Sequence, residues 1–189
     1  SGPGGCAAAL TAARRGLRVC LIERDDLGGV CLNVGCIPTK ALLSVSTLVR
    51  RVREAHRLGI AVQGYTLDFA AVRAPNDRIV TTLRRGLPAV LRREGVEVVR
   101  GSAVFDSPTR LRLVVTQEGR AHALEAERII VATGARPLPG PWTLDETRLL
   151  SYRGLLSLPT LPSSLLIIGG GVIGCEFASL LSVFGTKVT

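Results

Sequence analysis

Apolar positions near the start of the chain follow first a helical and then a strand pattern. An alanine-rich helix is predicted over residues 7–15, and Gly16 marks its end. The apolar run over residues 18–22 has the length of a strand and leads to the acidic residue Glu23. Together with the glycine-rich residues 2–5, these patterns predict a turn, a helix and a strand in that order.

The same order of patterns returns at the end of the chain. Residues 165–168 are apolar throughout, as in a strand that is buried on both faces. They lead into a glycine-rich turn, a predicted helix over residues 172–184, a stop at Gly185 and a further strand over residues 187–189. Alternating strands and helices of this kind predict an α/β, Rossmann-like fold built on parallel sheets.

Between these two regions the helical pattern dominates at first. Residues 41–57 predict a helix with one buried stripe, whose members are Val45, Leu48, Val49 and Val52. Residues 69–94 keep the helical spacing but contain Pro75 and Pro88. Each proline removes a backbone donor and clashes with the preceding turn, so we expect two or three short helices there.

A small antiparallel β layer is predicted next. Four short runs have strand patterns and are separated by turn residues: residues 96–99, 103–105, 111–115 and 121–124, with Gly101, Pro108 and Gly119 between them. The mostly apolar residues 128–132 predict one more strand. A linker follows, marked by Pro137, Pro139, Pro141, Pro159 and Pro162. A domain boundary is expected near Pro159.

Composition and charge restrict the class of protein. With 47% hydrophobic residues and a mean hydropathy of +0.33, the sequence is that of a globular chain. No apolar run approaches the roughly 20 residues that cross a bilayer, and no leader sequence follows Ser1, so a cytoplasmic protein without a membrane partner is expected. The net charge of +9 would suit nucleic acid, but the arginines are scattered and few aromatic residues are present for base stacking. We predict no nucleic-acid partner.

Gly169, Gly171 and Gly174 form a complete G-x-G-x-x-G motif between a predicted strand and a predicted helix. In that context the glycines let the backbone approach a dinucleotide pyrophosphate, which rests on the N-terminus of the helix. A tight turn that serves only helix–strand packing is the alternative. The residue that separates NAD from NADP would fall at or just after Thr189.

Gly2 and Gly5 match the last two glycines of a second such motif, whose first glycine would precede Ser1. Glu23 supports this interpretation. It ends the next strand about 20 residues on, where an acid accepts hydrogen bonds from the ribose of an adenine dinucleotide. The alternative for Glu23 is a solvated charge at the end of a strand.

Cys31 and Cys36 lie in a distinctive segment, residues 28–40. In a regular α-helix, Cα atoms five residues apart are ~8.6 Å apart, whereas a disulfide needs less than ~7 Å. A redox-active pair therefore requires a distorted backbone. Four residues here are of types that accept unusual backbone angles: Gly28, Gly29, Asn33 and Gly35. Pro38 can restart a helix in its first turn, and a cation such as Lys40 would stabilise a reactive thiolate.

The cysteines admit other roles as well. Five cysteines without an export signal do not predict a structural disulfide framework. A zinc site would need a second cluster of ligands, whereas the remaining candidates are dispersed: Cys6, Cys20, His56, His122 and Cys175. No metal site is therefore predicted. Two inert core cysteines are the alternative for Cys31 and Cys36, and the other three cysteines fit a core role.

Residues 28–40, followed by Ala41, Leu42 and Leu43, resemble the redox-active segment of the pyridine nucleotide-disulfide oxidoreductases. Leu32, Ile37 and residues 41–43 resemble in particular the dihydrolipoamide dehydrogenases of that family, to which glutathione and mercuric reductases are close relatives. The resemblance extends over the whole chain through further matching features: residues 2–5, Glu23, residues 132–134, residues 169–176 and residues 187–189.

The resemblance implies two cofactors, FAD and NAD. FAD would lie across residues that the family uses for this purpose: Gly2, Gly4, Gly5, Glu23, Gly28, Gly29, Cys31, Lys40, the backbone near Ala103, Thr133, Gly134 and Ala135. NAD would lie on the second glycine motif, at Gly169, Gly171 and Gly174. Glu176 would pair with Lys40 near the flavin.

The same resemblance implies a reaction. Cys31 would exchange with the substrate, and Cys36 would face the flavin. The substrate would be a protein-bound dihydrolipoyl group or a small dithiol, with electrons passing through the cysteine pair to FAD and then to NAD. The parent enzyme would be a homodimer.

Residues 1–158 would then form an FAD-binding domain that lacks its first strand, and residues 159–189 the beginning of an NAD-binding domain. The family's catalytic histidine lies in a C-terminal domain and matches neither His56 nor His122, so these 189 residues alone are expected to be inactive. Two alternatives stay open. One is another disulfide reductase of the family, similar to glutathione or mercuric reductase; the other is a truncated, non-catalytic dinucleotide-binding module.

Overall fold

The structure is a computed structural model that describes residues 1–114, 121–137 and 140–189. Val115, Gly119 and Pro139, which entered the predictions above, lie outside the described residues. The chain folds into two compact units, each made of two stretches of sequence. The first unit comprises Ser1–Asn33 and Thr81–Arg136, and the second comprises Val34–Val80 and Pro137–Thr189. The predicted domains, residues 1–158 and 159–189, stay a prediction.

The helices and strands, numbered in chain order, are α1 Pro3–Arg14, β1 Val19–Glu23, α2 Gly29–Val34, α3 Cys36–Glu54, α4 Phe69–Arg93, β2 Val96–Arg100, β3 Ser102–Ser107, β4 Arg110–Val114, β5 Ala121–Glu125, α5 Tyr152–Ser157, β6 Ser164–Leu165, α6 Val172–Phe184 and β7 Lys187–Val188. A 3₁₀ turn, Ala55–Leu58, extends α3. This mixture confirms the predicted α/β class, although several boundaries differ.

The first unit contains a parallel strand pair and an antiparallel layer. Strands β1 and β2 pair in parallel, and β3, β4 and β5 form a three-stranded antiparallel sheet. The small core consists of Ala9, Leu27, Leu91 and Val96. The antiparallel layer was predicted correctly for its last three strands, but the placement of residues 96–99 in it was wrong. They form β2, which pairs in parallel with β1 after a long crossover that includes α4.

A strand was also predicted over residues 128–132, and the structure corrects this. The described residues 126–137 carry no strand, and Ile130 and Val131 are 69% and 66% exposed. An apolar run forms a strand only where a neighbouring backbone offers it hydrogen bonds. In the described part of the chain, β1 and β2 pair only with each other.

The two prolines in residues 69–94 do not divide the helix. Helix α4 runs without a break for 25 residues, so the prediction of two or three short helices was wrong. A proline inside a helix removes one backbone hydrogen bond, and the helix can continue through it with a bend. The remaining hydrogen bonds and the packing of buried residues such as Leu91 keep the other turns together.

The second unit has its core between α3 and α6. The buried residues of this core are Leu42, Val49, Phe177, Leu180, Leu181, Val183 and Phe184. The stripe predicted on α3 is shifted, because Leu48 is 60% exposed whereas Leu42, Ser46 and Val49 are buried. Helix α3 also begins at Cys36 rather than at residue 41.

The parallel pair at the end of the second unit is shorter than predicted. Strand β6 covers two residues where the sequence predicted a strand over 165–168. The hydrogen-bonded pairing continues beyond it, since the Ile167 amide donates to the Thr189 carbonyl at 2.8 Å and the Thr189 amide donates to the Leu165 carbonyl at 3.0 Å. Helix α6 and its stop at Gly185 were predicted correctly.

By length and hydropathy alone, the helical stretch Gly29–Leu58 could cross a membrane. The stretch is not a continuous apolar run, because it also contains Lys40 and several hydroxyl residues. Such a stretch is weak evidence for a span, since core helices of globular proteins pass the same test. Leu42 and Val49 on this stretch belong to the buried core.

Candidate cofactor and redox sites

Helix α1 begins directly in the first glycine loop, residues Gly2 to Gly5. Gly2 is the N-cap with extended backbone, and Pro3 occupies the first helical position, so the helix begins four residues before the predicted start at residue 7. A Cβ atom added at Gly4 would meet nothing within 4 Å. At Gly5 it would only touch Ala132 and Leu21, at 3.5 and 3.7 Å. The first turn therefore leaves open space over Gly4.

Gly28 and Gly29, here called the glycine corner, lie against this loop. Their φ angles are +102° and +62°, a left-handed conformation that side chains rarely adopt. A Cβ atom added at Gly29 would lie 2.5 Å from the Cα of Gly2, closer than non-bonded carbon atoms approach. The Gly28 amide donates to the Ser1 carbonyl and hydroxyl oxygens, each at 3.2 Å. Two backbone segments thus meet at a point where only glycine fits.

Glu23 ends β1 beside the same loop. Its Oε2 accepts hydrogen bonds from the α-amino group and the hydroxyl of Ser1, at 2.6 and 2.8 Å, and its Oε1 accepts one from the Asp25 amide at 2.9 Å. Burial raises the pKa of Glu23, but these hydrogen bonds outweigh burial and lower the pKa to about 2. The carboxylate is therefore ionised, and Oε1 keeps a lone pair for a hydroxyl donor.

The two cysteines of the redox segment, residues 28–40, lie on consecutive helices. Cys31 is half-buried on α2, and Cys36 is exposed as the first residue of α3. Gly35 alone separates the helices, with φ −141° and ψ −114°. The predicted interruption of the helix is thus confirmed. Both the amide and the hydroxyl of Thr39 donate to the Gly35 carbonyl, at 3.1 and 2.7 Å, which fixes the start of α3.

Pro38 lies in the first turn of α3, where its missing N–H costs no hydrogen bond, as predicted. Asn33 differs from the prediction. It is a helical residue without positive φ. Its side-chain amide stabilises this segment instead, by donating hydrogen bonds to the carbonyls of Leu27 and Gly29. The residue type suggested unusual backbone angles, whereas the asparagine acts here through its two amide hydrogens.

Lys40 and Glu176 form a hydrogen-bonded ion pair within the second unit. Lys40 Nζ lies 2.6 Å from Glu176 Oε1, and the side chains are 57% and 23% exposed. The pairing that the family resemblance implied is therefore present. Ion pairs this exposed add about 0–1 kcal/mol to stability, so this pair contributes little to folding.

The second glycine loop, residues Gly169 to Gly174, has the geometry that its motif predicts. Gly169 has φ +105°, and Gly171 is the extended N-cap of α6. A Cβ atom added at Gly174 would lie 2.5 Å from the Gly169 carbonyl oxygen and 3.2 Å from Ile167. A Cβ added at Gly170 or Gly171 would meet nothing within 4 Å. The loop thus presents bare backbone at the start of a 13-residue helix.

The remaining predicted residues lie on exposed backbone of the first unit. Ala103 is on β3, and residues 133–135 follow the segment that contacts Gly5, with φ +78° at Gly134. The roles of all these site residues stay predictions. In the described part of the chain, no group of three or more acidic, histidine or cysteine residues could hold a metal ion.

The cysteines outside the redox segment differ from one another. Burial raises the pKa of the Cys6 thiol, which donates to the Ser1 carbonyl at 2.9 Å, in keeping with an inert residue. The core role predicted for Cys20 and Cys175 was wrong, because both are exposed. Cys20 lies on a strand with one partner strand, and Cys175 lies in the first turns of α6.

Comparison with known proteins agrees with this geometry. A curated dihydrolipoyl dehydrogenase from Chlamydia pneumoniae is 43% identical over 189 residues, which is 100% of this chain and 40% of the relative. The crystal structure of LpdA from Mycobacterium tuberculosis has a TM-score of 0.87 at 29% identity and covers 100% of this chain and 42% of that chain. The HOCl-induced flavoprotein disulfide reductase RclA from Escherichia coli has a TM-score of 0.77 at 33% identity, covering 99% of this chain and 39% of that chain.

The chain thus spans about 40% of the length of the curated relatives it matches. The family model described as pyridine nucleotide-disulphide oxidoreductase matches residues 1–189. Members of that family use FAD and NAD(H), and the structural neighbours share its Rossmann-type architecture. Since the family model covers every residue, the resemblance found in the sequence is confirmed, and the chain belongs to the pyridine nucleotide-disulphide oxidoreductase family.

Proposed function

We propose that this chain supplies the flavin-binding loop, the redox cysteines and the second glycine loop of a flavoenzyme that oxidises dihydrolipoyl groups. The observation that carries the proposal is the glycine corner. It contacts the first glycine loop through Gly29 and Gly2, and it leads directly into the helix that bears Cys31. The dihydrolipoyl dehydrogenases, at 37–43% identity over the whole chain, support the choice of substrate.

The residues of the first unit fit FAD. The close approach of Gly2 and Gly29 and the open space over Gly4 leave bare backbone for a pyrophosphate, and the ionised Glu23 suits ribose hydroxyls. When bound, FAD supplies two-electron chemistry between a dithiol and NAD. The second glycine loop would hold NAD, and the ion pair with Glu176 would keep the Lys40 ammonium group in a fixed position.

The two cysteines carry the exchange with substrate. A substrate thiolate attacks the sulfur of Cys31, the Cys31–Cys36 bond breaks, and Cys36 leaves as a thiolate. The second substrate thiolate then attacks the substrate sulfur in the mixed disulfide, and Cys31 leaves in turn. The substrate gives up two electrons and two protons and becomes a disulfide, while the cysteine pair is reduced to two thiols.

The test uses the intact flavoenzyme, oxidised and then titrated anaerobically with dihydrolipoamide. Without NAD we expect two additional cysteine thiols per chain, and after NAD is added we expect NADH to form while the cysteine pair is oxidised again; both changes should be lost in Cys31→Ser and in Cys36→Ser. Cys20→Ser is the matched control, because Cys20 is also exposed but lies on β1. NADH formation at the parent rate in Cys31→Ser would contradict the proposal. Bound FAD without any change in thiol count would instead favour a non-catalytic binding module.

The similarity to RclA favours a second candidate, a disulfide reductase that uses the same cysteines in the opposite direction. It would consume NADH or NADPH and reduce a disulfide or another oxidised substrate. A comparison of both directions separates the two candidates, since rapid NADH-dependent reduction of disulfides together with slow dihydrolipoamide oxidation would favour the reductase. Homodimerisation and a cytoplasmic location stay predictions from the sequence.

A further inference from the structure

We propose that Asn33 is a positioning residue for the redox segment. Its side-chain amide holds the glycine corner and thereby sets the position of the helix that carries Cys31. The proposal rests on the function proposed above, in which Cys31 exchanges with the substrate.

The side chain of Asn33 turns back toward the start of its own helix. Nδ2 donates to the carbonyl oxygen of Leu27 at 3.0 Å and to that of Gly29 at 2.9 Å. These carbonyls lie on either side of Gly28, which has a φ of +102°. An amide nitrogen carries two hydrogens, and both are used here to bridge the glycine corner.

One end of this bridge is anchored in the core. The side chain of Leu27 is 3% exposed and packs in the cluster that contains Ala9, Leu91 and Val96. Helix α2 has only six residues, and a helix this short depends on such outside contacts to keep its position. Helix α2 would be mobile without such a contact. The hydrogen bond from Asn33 to the Leu27 carbonyl therefore attaches it to a fixed point of the first unit.

The chemistry of the contact selects asparagine. An aspartate of the same shape would place carboxylate oxygens against the two carbonyl oxygens, and a leucine would offer no donor. Oδ1 of Asn33 is buried and has no hydrogen-bond partner among the described residues. Because a buried acceptor without a partner is unfavourable, the two donated bonds are what hold the amide in place.

The bridge also connects two parts of the proposed mechanism. The glycine corner contacts Gly2 of the first glycine loop. Cys31 lies two residues before Asn33, on the same helix. Loss of the amide would therefore loosen the Cys31 helix and the wall of the proposed flavin site together.

The test compares Asn33→Ala with Asn76→Ala in the intact, FAD-loaded enzyme. Asn76 is a matched control, because it is 6% exposed and its Oδ1 likewise has no partner in the described part of the chain, but it lies on α4. The enzyme is reduced anaerobically and treated with iodoacetamide, and the alkylation rate of Cys31 is followed by peptide mass spectrometry. The rate of dihydrolipoamide oxidation is measured in parallel.

For Asn33→Ala we expect Cys31 to be alkylated about tenfold faster, because local opening of α2 exposes the half-buried thiol. We expect kcat to fall about tenfold with KM for NAD unchanged, because only the redox segment is displaced. Asn76→Ala should stay within about twofold of the parent in these rates, even where it lowers thermal stability.

Equal Cys31 alkylation rates in Asn33→Ala and Asn76→Ala would overturn the proposal. If Asn33→Ala does not fold, Asn33→Leu, which has a side chain of similar size but no donor, is measured in the same way, and an alkylation rate equal to that of the parent would overturn the proposal as well. Failure of the proposed function has a different signature. Cys31→Ser would then retain full dithiol oxidation, whatever the effect of the Asn33 variants on alkylation.

Discussion

The two glycine loops follow the same sequence pattern but exclude side chains by different means. At the first loop, the close contact is with the glycine corner: a Cβ at Gly29 is blocked by the backbone of Gly2, which comes from a distant part of the sequence. In the second, the obstacle to a Cβ at Gly174 is the Gly169 carbonyl of the same loop. The first loop is therefore completed by the redox segment, whereas the second is self-contained. A shared motif thus does not imply a shared dependence on the rest of the fold.

The largest effect is expected from Gly29→Ala. The substitution combines a φ of +62° with a Cβ 2.5 Å from the backbone of Gly2, so it should cost about 2–4 kcal/mol of the free energy of unfolding and lower the FAD content. Urea unfolding and flavin absorbance measure both effects. Gly86→Ala on α4 is the control, because a Cβ there meets nothing within 4 Å and the position lies outside the proposed flavin site; it should be neutral or stabilising by about 0.5–1 kcal/mol. Equal stability of the two variants would refute the contact.

Gly174→Ala tests whether the second loop is self-contained. The added Cβ would meet the Gly169 carbonyl at 2.5 Å, so we expect a loss of about 1–3 kcal/mol and weaker binding of NADH. The FAD content should be unchanged, because the redox segment does not complete this loop. The control for stability is Gly170→Ala, where the new Cβ has no protein atom within 4 Å. Release of FAD by Gly174→Ala alone would show that the loops depend on each other.

A smaller, pH-dependent effect is expected at Glu23 in the first unit. In the chain that begins at Ser1, burial raises the pKa of Glu23, but hydrogen bonds from the α-amino group and hydroxyl of Ser1 and from the Asp25 amide outweigh burial and lower the pKa from 4.5 to about 2. Its stabilising contribution is therefore complete above pH 4.5 and is lost as the pH falls toward 2. With an allowance for partial exposure, this contribution is about 1–2 kcal/mol. Glu23→Gln should be less stable than the parent at pH 6 and should lose less stability between pH 6 and pH 3. Glu97→Gln on β2 is the control. Parallel stability curves for Glu23→Gln and the parent would exclude this role.

Features that depend on neighbouring residues in the sequence were predictable. Gly16 and Gly185 end their helices in the left-handed conformation that glycine favours, and the interruption at Gly35 followed from the spacing of the two cysteines. In each case the cause lies within a few residues of the effect. The glycine motifs and the redox segment could be recognised for the same reason.

Features that depend on distant partners were not predictable. Residues 128–132 have the composition of a strand but no pairing in the described part of the chain, and β2 pairs with β1 rather than with its neighbours in sequence. The continuity of α4 through Pro75 depends on packing that a local rule does not include. The amide bridge of Asn33 was missed because residue type alone does not show where a side chain points.

The chain passes from one compact unit to the other after Asn33, after Val80 and after Arg136. The second of these passages lies inside the unbroken helix α4. Any recombination joint between codons 34 and 136 would therefore divide both units at once. A shuffled gene that receives only one side of such a joint receives neither unit complete, and it carries the first glycine loop without the second or the second without the first.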